Sequence, residues 1–248
     1  MSVIYILWLR QIKRYIRSKE RIIGSIGQPI LFLIALGFGF GPMYAKAGGG
    51  NYIQFIGPGV VAMGILFTSV FSGIEIIWDR QFGFLKETLV APTSRLEIMI
   101  GRTLGGATVA SFQGIIILVL SFLVGFRLDN MMLLPLALVF IFLIALLFTA
   151  LGTAIASVLE DMQGFQLIMN FLVMPLFFLS GALFPLEGLP PFLEVVARAD
   201  PLSYGVDGLR GVLANNAHFG LGLDFLILSI ITVAFLLIGS YLFSKIEI

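Results

Sequence analysis

The sequence predicts an all-α membrane protein with six spanning helices, and three observations support that prediction. Several apolar runs exceed the ~18 residues needed to cross a bilayer. Hydrophobic residues make up 59% of the chain and charged residues only 12%, a balance that excludes a soluble domain. The polar stretches between the runs are short, so residues 1–248 form one membrane domain with no folded soluble unit left over.

The first element is an amphipathic helix over residues 4–21. Tyr5, Trp8, Leu9, Ile12, Tyr15 and Ile16 fall on one face at helical spacing. Arg10, Lys13, Arg14, Arg17 and Arg21 fall on the other, with Ile6 and Leu7 straying onto it. A basic face opposite an apolar one suits a helix lying in the headgroup plane in contact with membrane lipid. A nucleic-acid reading of the cluster is poor, because a span follows at once. The start is polar and basic, without a short apolar core and cleavage site, so no signal peptide is expected.

Spans follow at about 22–40, 53–78, 98–124, 131–158, 165–184 and 221–243, with Pro29 inside the first and Pro175 inside the fifth. A Gly-rich turn, 41–51, separates the first two. The second run would be ~39 Å long at helical rise, so it must tilt or project. Glu75, near its end, is a functional candidate by default at membrane depth. Its shallow position favours pairing with Arg80 or a lipid headgroup.

Between the second and third spans lies the longest polar interruption, Asp79–Arg102. Phe84, Leu85, Thr88 and Leu89 recur there at helical spacing, which gives a short helix a mostly apolar face. That helix must end before Pro92. Ser94 and Glu97 then have capping-box spacing for the next helix. Such a helix between spans is either a lever on something in the cytosol or an ordinary interfacial loop helix.

Residues 185–220 are broken by Glu187, Pro190, Pro191, Glu194, Arg198, Asp200, Pro201, Asp207 and Arg210, so they should not span. Two short helices are expected, about Pro191–Arg198 and Pro201–Leu213. Asp200 would cap the second, and Pro201 would be its first residue, where a missing donor does no harm. The hairpin either re-enters the outer leaflet or lies on the surface, and partial re-entry is favoured.

With six spans both termini share a side. That side holds eleven of the fifteen basic residues, including Arg80, Lys86, Arg95, Arg102 and Lys245. The excess assigns it to the cytoplasm and predicts a multi-pass protein with both termini cytoplasmic.

Other chemistry is absent from the pattern. No Gly-x-x-x-x-Gly-Lys loop exists to cradle phosphates. Gly37, Gly39 and Gly41 alternate, but Pro42 follows and no strand precedes them. His218 is the only histidine, so no zinc pair forms, and the absence of cysteine removes disulfides and thiolate sites. Glu160 and Asp161 are adjacent and read as a polar loop rather than a catalytic pair. No internal repeat of the secondary-transporter kind is visible.

The run Asp79-Arg80-Gln81-Phe82-Gly83-Phe84-Leu85-Lys86-Glu87-Thr88-Leu89-Val90-Ala91-Pro92-Thr93-Ser94-Arg95, with Gly101-Arg102 after it, resembles the signature of type-2 ABC exporter permeases. The daunorubicin-resistance-like drug exporters are the closest branch, although polysaccharide exporters share most of the motif. Ser180-Gly181-Ala182-Leu183-Phe184-Pro185, then Pro201-Leu202-Ser203-Tyr204 and Asp207-Gly208-Leu209-Arg210, extend the similarity over essentially the whole chain.

The resemblance implies a non-enzymatic permease in the cytoplasmic (inner) membrane, paired with a second copy, by default as a homodimer. Two separate ATPase subunits would bind the ATP and Mg, leaving no cofactor in this chain. Gly83, Phe84, Leu85, Lys86, Glu87, Thr88, Leu89, Pro92 and Arg95 would form a cytoplasmic coupling helix and its flanks. The N-terminal helix, with Arg10, Lys13, Arg14 and Arg17, would be a second contact. Pro185, Pro201, Tyr204 and Arg210 would mark an extracytoplasmic re-entrant hairpin. Phe32, Phe67, Phe71 and Phe178 are pathway candidates, near the first, second and fifth spans. The cargo would be a hydrophobic small molecule or a glycolipid. An ion-coupled secondary transporter is the contrasting class, and it would need ionisable residues buried at mid-membrane.

Overall fold

A computed structural model describes residues 2–84 and 93–246. Among them there is no strand, and six helical stretches are long and apolar enough to cross a membrane. The N-terminal helix α1 spans Val3–Arg17. The first candidate span is α2, Lys19–Lys46. The second combines α3, Tyr52–Phe71, and α4, Ile74–Gln81. Next come α5, Arg95–Val124, and α6, Leu134–Val158, the latter entered through a 3-10 turn at Met131–Leu133. The fifth span is α7, Met162–Leu179; α8 (Pro191–Ala199) and α9 (Pro201–Ala214) form the hairpin; α10, Leu221–Ser244, is last.

Helix α3 is the buried centre. Nearly all its residues are inaccessible, and α2, α5, α6, α7 and α9 pack around it. Its apolar core needs no polar face because it meets protein on every side.

Several boundaries depart from the expected ones for identifiable reasons. The first helix and first span are separate, because Ser18 leaves helical geometry (ψ 78°) and becomes the junction. Arg21 therefore belongs to α2. That helix also runs through the expected turn at 41–51 as far as Lys46, Pro42 included. Its extra turn is held by Tyr44, whose ring lies 5.0 Å from Tyr52 and 5.6 Å from Phe55. The long second run breaks at Ser72–Gly73, where α3 and α4 pass against the backbone of Gly152. The Ser72 hydroxyl donates to the Ser69 carbonyl at 2.6 Å, which ties off the last turn of α3. The fifth span stops at Leu179 rather than 184, and Gly181 (φ +74°) turns the chain.

Two expected helix caps are present. Ser94 and Glu97 form the expected capping box at the start of α5. Asp200 caps α9, accepting from the Leu202 N–H at 2.8 Å, with Pro201 as the first helical residue.

The seam of α1 is not the predicted one. Leu7, Gln11 and Tyr15 are buried, whereas Tyr5 and Ile16 are exposed. The stripe packs on α5, where Gly101 approaches Ile4 and Leu7, and Gly105 approaches Trp8 and Gln11. A Cβ on Gly105 would sit 2.7 Å from the Gln11 side chain, so the close crossing depends on its absence.

Candidate functional site

Helix α4 leads directly into the 83–92 segment. Its carboxylates Glu75 and Asp79 lie one turn apart on one face. Asp79 accepts a bidentate bond from Arg10, at 2.9 and 3.0 Å, and another from Arg102 at 2.6 Å. Glu75 accepts from Arg21 at 2.8 Å and has Arg14 at 3.7 Å. The expected Arg80–Glu75 pair does not form. Arg80 points away to the Ser157 and Leu159 carbonyls, at 3.1 and 3.3 Å, with Glu160 at 3.7 Å.

Four guanidiniums from α1, α2 and α5 thus converge on two carboxylates of one short helix. Arg102 and Asp79 are buried, so the pair is shielded from salt and water. Bidentate geometry adds orientation to attraction. On the remaining sides α4 is fixed by Trp78, whose indole donates to the Met162 sulfur at 2.7 Å, and by Gln81, which donates to the Glu160 carbonyl at 3.3 Å. The stem of the following segment is therefore held by α1, α2, α5 and the start of α7.

Of the residues assigned to the coupling element, Leu85, Lys86, Glu87, Thr88, Leu89 and Pro92 lie outside the described residues. Gly83 adopts φ +81°, a left-handed conformation suited to glycine just past a helix end. The Phe84 ring lies 3.9 Å beneath the Arg10 guanidinium, in a cation–π contact. Arg95 donates to the carbonyls of Ser244 and Ile246, so it joins the start of α5 to the end of α10. Lys13 and Arg17 line, with Arg10, Arg14, Tyr5 and Trp78, an open cleft of about 610 Å³ between α1 and α4.

At the other end of the spans, α9 is buried from Leu202 to Leu213. Arg210 donates to the Gly181 carbonyl at 2.8 Å and to the Phe55 carbonyl at 3.4 Å, with its guanidinium 4.0 Å from the Phe55 ring. Burial lowers its pKa to about 10, so it remains a cation. Asp207 accepts from the backbone N–H groups of His218 and Phe219, at 2.7–2.9 Å. Tyr204 donates to the Arg198 carbonyl at 2.7 Å. Burial pushes the Asp200 carboxyl up to about 8, opposed by the bond from Leu202. Pro185 is exposed beside a small cavity that Arg210 and His218 also line.

The pathway candidates separate into two groups of rings. Phe32 and Phe178 both contact Phe177, at 6.4 and 5.5 Å. Phe67 and Phe71 stack at 6.3 Å, and Phe71 meets Phe165 edge-on. Sequence reasoning missed Gln11, Arg21 and Gln113 as structural centres. A lone amide such as Gln113 within an apolar run was the available signal.

Among the described residues no cluster of acidic or histidine side chains could hold a metal ion. Six helices long and apolar enough to cross a membrane, with a loop stem clamped by ion pairs, define the class as a multi-pass membrane protein.

Residues 2–214 match the family model described as ABC-2 type transporter, and the chain belongs to that family. A putative transport permease, ycf38, of Cyanophora paradoxa is 30% identical over 94% of this chain and 85% of its own length. Nodulation protein J of Rhizobium leguminosarum bv. trifolii is 30% identical over 84% of this chain and 78% of its own. The inner membrane transport permease YadH of Escherichia coli K12 is 28% identical, covering 94% and 91%. The chain is thus the permease subunit of an ABC transporter, in a family whose ATPase is a separate subunit.

Proposed function

We propose that this permease serves an ATP-driven exporter of the cytoplasmic membrane, moving an amphipathic, lipid-like or drug-like molecule by alternating access. It would act as a pair of copies with two ATPase subunits and both termini in the cytoplasm. Residues 83–92 would seat in the ATPase, with α1 as a second contact and a strut in the membrane plane.

The observation that carries this reading is the sharing of Asp79 between Arg10 and Arg102. Asp79 lies one turn before Gly83, so displacement of the segment pulls α1 and the third span with it. A nucleotide can bias the spans only through its differential affinity for their two arrangements, and a stiff connection of this kind passes that bias on. The inner-membrane setting draws on the similarity to YadH. Two separate groups of rings favour a discrete amphipathic molecule over a lipid-linked polysaccharide, for which a continuous aromatic track is expected.

The test is a reconstituted permease–ATPase complex carrying Phe84→Ala. Loss of an aromatic anchor should lower ATPase stimulation and coupled transport about ten-fold, with the permease still folded. Unchanged stimulation and transport would sink the coupling role.

A further inference from the structure

Between α2, α3 and α5 lies a cavity of about 160 Å³ that meets the ion-pair knot only at Arg21. Its walls are apolar at Pro29 and Met63, aromatic at Phe67 and Phe71, and polar at Gln28, Thr68 and Gln113. Gln113 is fully buried. Its Oε1 faces the Tyr15 hydroxyl at 3.2 Å and the Ser25 hydroxyl at 3.0 Å, while its Nε2 has no partner.

Turning the amide over exchanges the problem without removing it. The two hydroxyls can accept as well as donate, and Ser25 has the Ile22 carbonyl at 3.1 Å for its proton. In either orientation one end of the amide is served and the other is left over. Buried polar groups ordinarily find partners, and Gln113 borders the cavity, so a molecule that enters it can supply the missing one. A hydroxyl group suits both orientations, because it donates and accepts.

The surroundings narrow the ligand further. Thr68 is buried and lines the same cavity. Arg21, which also lines the cavity, is already paired with Glu75 at 2.8 Å, so the amide, hydroxyl and ring walls rather than a free cation are what the cavity offers a ligand. The space is well below the ~300 Å³ of the smallest ordinary drug pockets. It accommodates a polar head and not a whole amphiphile. Beyond Gln28, α2 carries exposed Leu31, Ile34 and Phe38, along which an apolar tail can lie.

We infer that this cavity is a subsite, within a single permease copy, for the uncharged hydroxyl-bearing headgroup of an amphipathic molecule. The inference rests on the exporter reading for its assignment to cargo. The amide of Gln113 and the hydroxyl of Thr68 bind the head, and the stacked Phe67 and Phe71 wall one side.

The experiment uses the full permease–ATPase complex in lipid nanodiscs. The probe is a dodecyl glucoside with a photoreactive diazirine at the head end of its chain, and labelled peptides are mapped by mass spectrometry. Labelling is expected on α3 around Met63–Thr68 and on the Gln113 peptide. It should be competed by plain dodecyl glucoside and not by dodecyl phosphocholine. Thr68→Val keeps the shape and removes one hydroxyl, so it should cut labelling about five-fold, the value of one hydrogen bond. Gln113→Leu gives a second reading, with a melting curve to show that the protein still folds. Equal competition by the two headgroup chemistries, or labelling indifferent to both variants, overturns the subsite. If that happens while ATP hydrolysis still depends on the permease, the exporter reading survives. Hydrolysis independent of the permease removes the exporter reading, and with it the assignment to cargo.

Discussion

The two ends of the spanning bundle are held by different chemistry. At the α1–α4 end, side chains bind side chains: Arg10 and Arg102 share Asp79, and Arg14 and Arg21 share Glu75. At the hairpin end, side chains bind backbone: Arg210 to the Gly181 and Phe55 carbonyls, Asp207 to the His218 and Phe219 N–H groups, Tyr204 to the Arg198 carbonyl. Carboxylates with two cationic partners each can exchange one contact for another while staying charge-paired. Bonds to main-chain atoms offer no such choice, because the groups they satisfy cannot rotate away. The contrast teaches that one end is tied by charge between helices far apart in the chain, and the other by the hydrogen-bonding groups of the main chain.

The comparison can be broken most sharply at Asp79. Asp79→Asn leaves Arg102, 3% exposed, without an anion. Breaking a buried pair in this way should cost about 3–5 kcal/mol. Denaturation in detergent micelles reads that loss. A smaller cost would show that water reaches the pair and that this end is looser than its packing implies.

Arg210→Met should come next. It keeps the bulk but frees the Gly181 carbonyl, at a cost of about 1–3 kcal/mol, seen as a lower midpoint in the same assay. A loss equal to that of Asp79→Asn would erase the distinction between the two ends.

Asp200 tests the hairpin by pH. Its folded-state pKa, about 8, is above the ordinary 3.8, so the folded protein holds the proton more tightly than the unfolded chain. The associated stability is complete below pH ~3.8 and is lost as pH rises through about 8. The melting temperature of the native protein should therefore carry a downward component between pH 5 and 8. Asp200→Asn retains the cap and should abolish that component. Parallel pH curves for the two proteins would show that the carboxyl is hydrated.

The smallest effect belongs to the start of α5. Ser94→Ala removes one half of an exposed capping box and should cost about 1 kcal/mol. A larger loss would mean that this cap also holds the neighbouring segment in place.

What was legible in the sequence follows the range of the interaction involved. Spans announce themselves by length and hydropathy. The hairpin helices came within a residue of their true ends, because Pro191, Asp200 and Pro201 act on their own neighbours. Partners distant in the chain were not legible. Glu75 has Arg80 five residues away, yet takes Arg21, 54 residues distant, because α1 and α2 lie against the face that α4 presents. The seam of α1 was misassigned for the same reason: Leu7 is buried only because Gly101 and Gly105 let the α5 backbone come close. Helix α2 outran its expected end because three aromatic rings from two helices meet there.

The carbonyls of Ser244 and Ile246 rest on Arg95, so the far end of the sixth span touches the beginning of the third. A fluorophore attached near Ser244 would therefore sit beside the first residue of the third span. A spectral change there on adding ATP to the complex would register movement at the start of the third span without any label in that span.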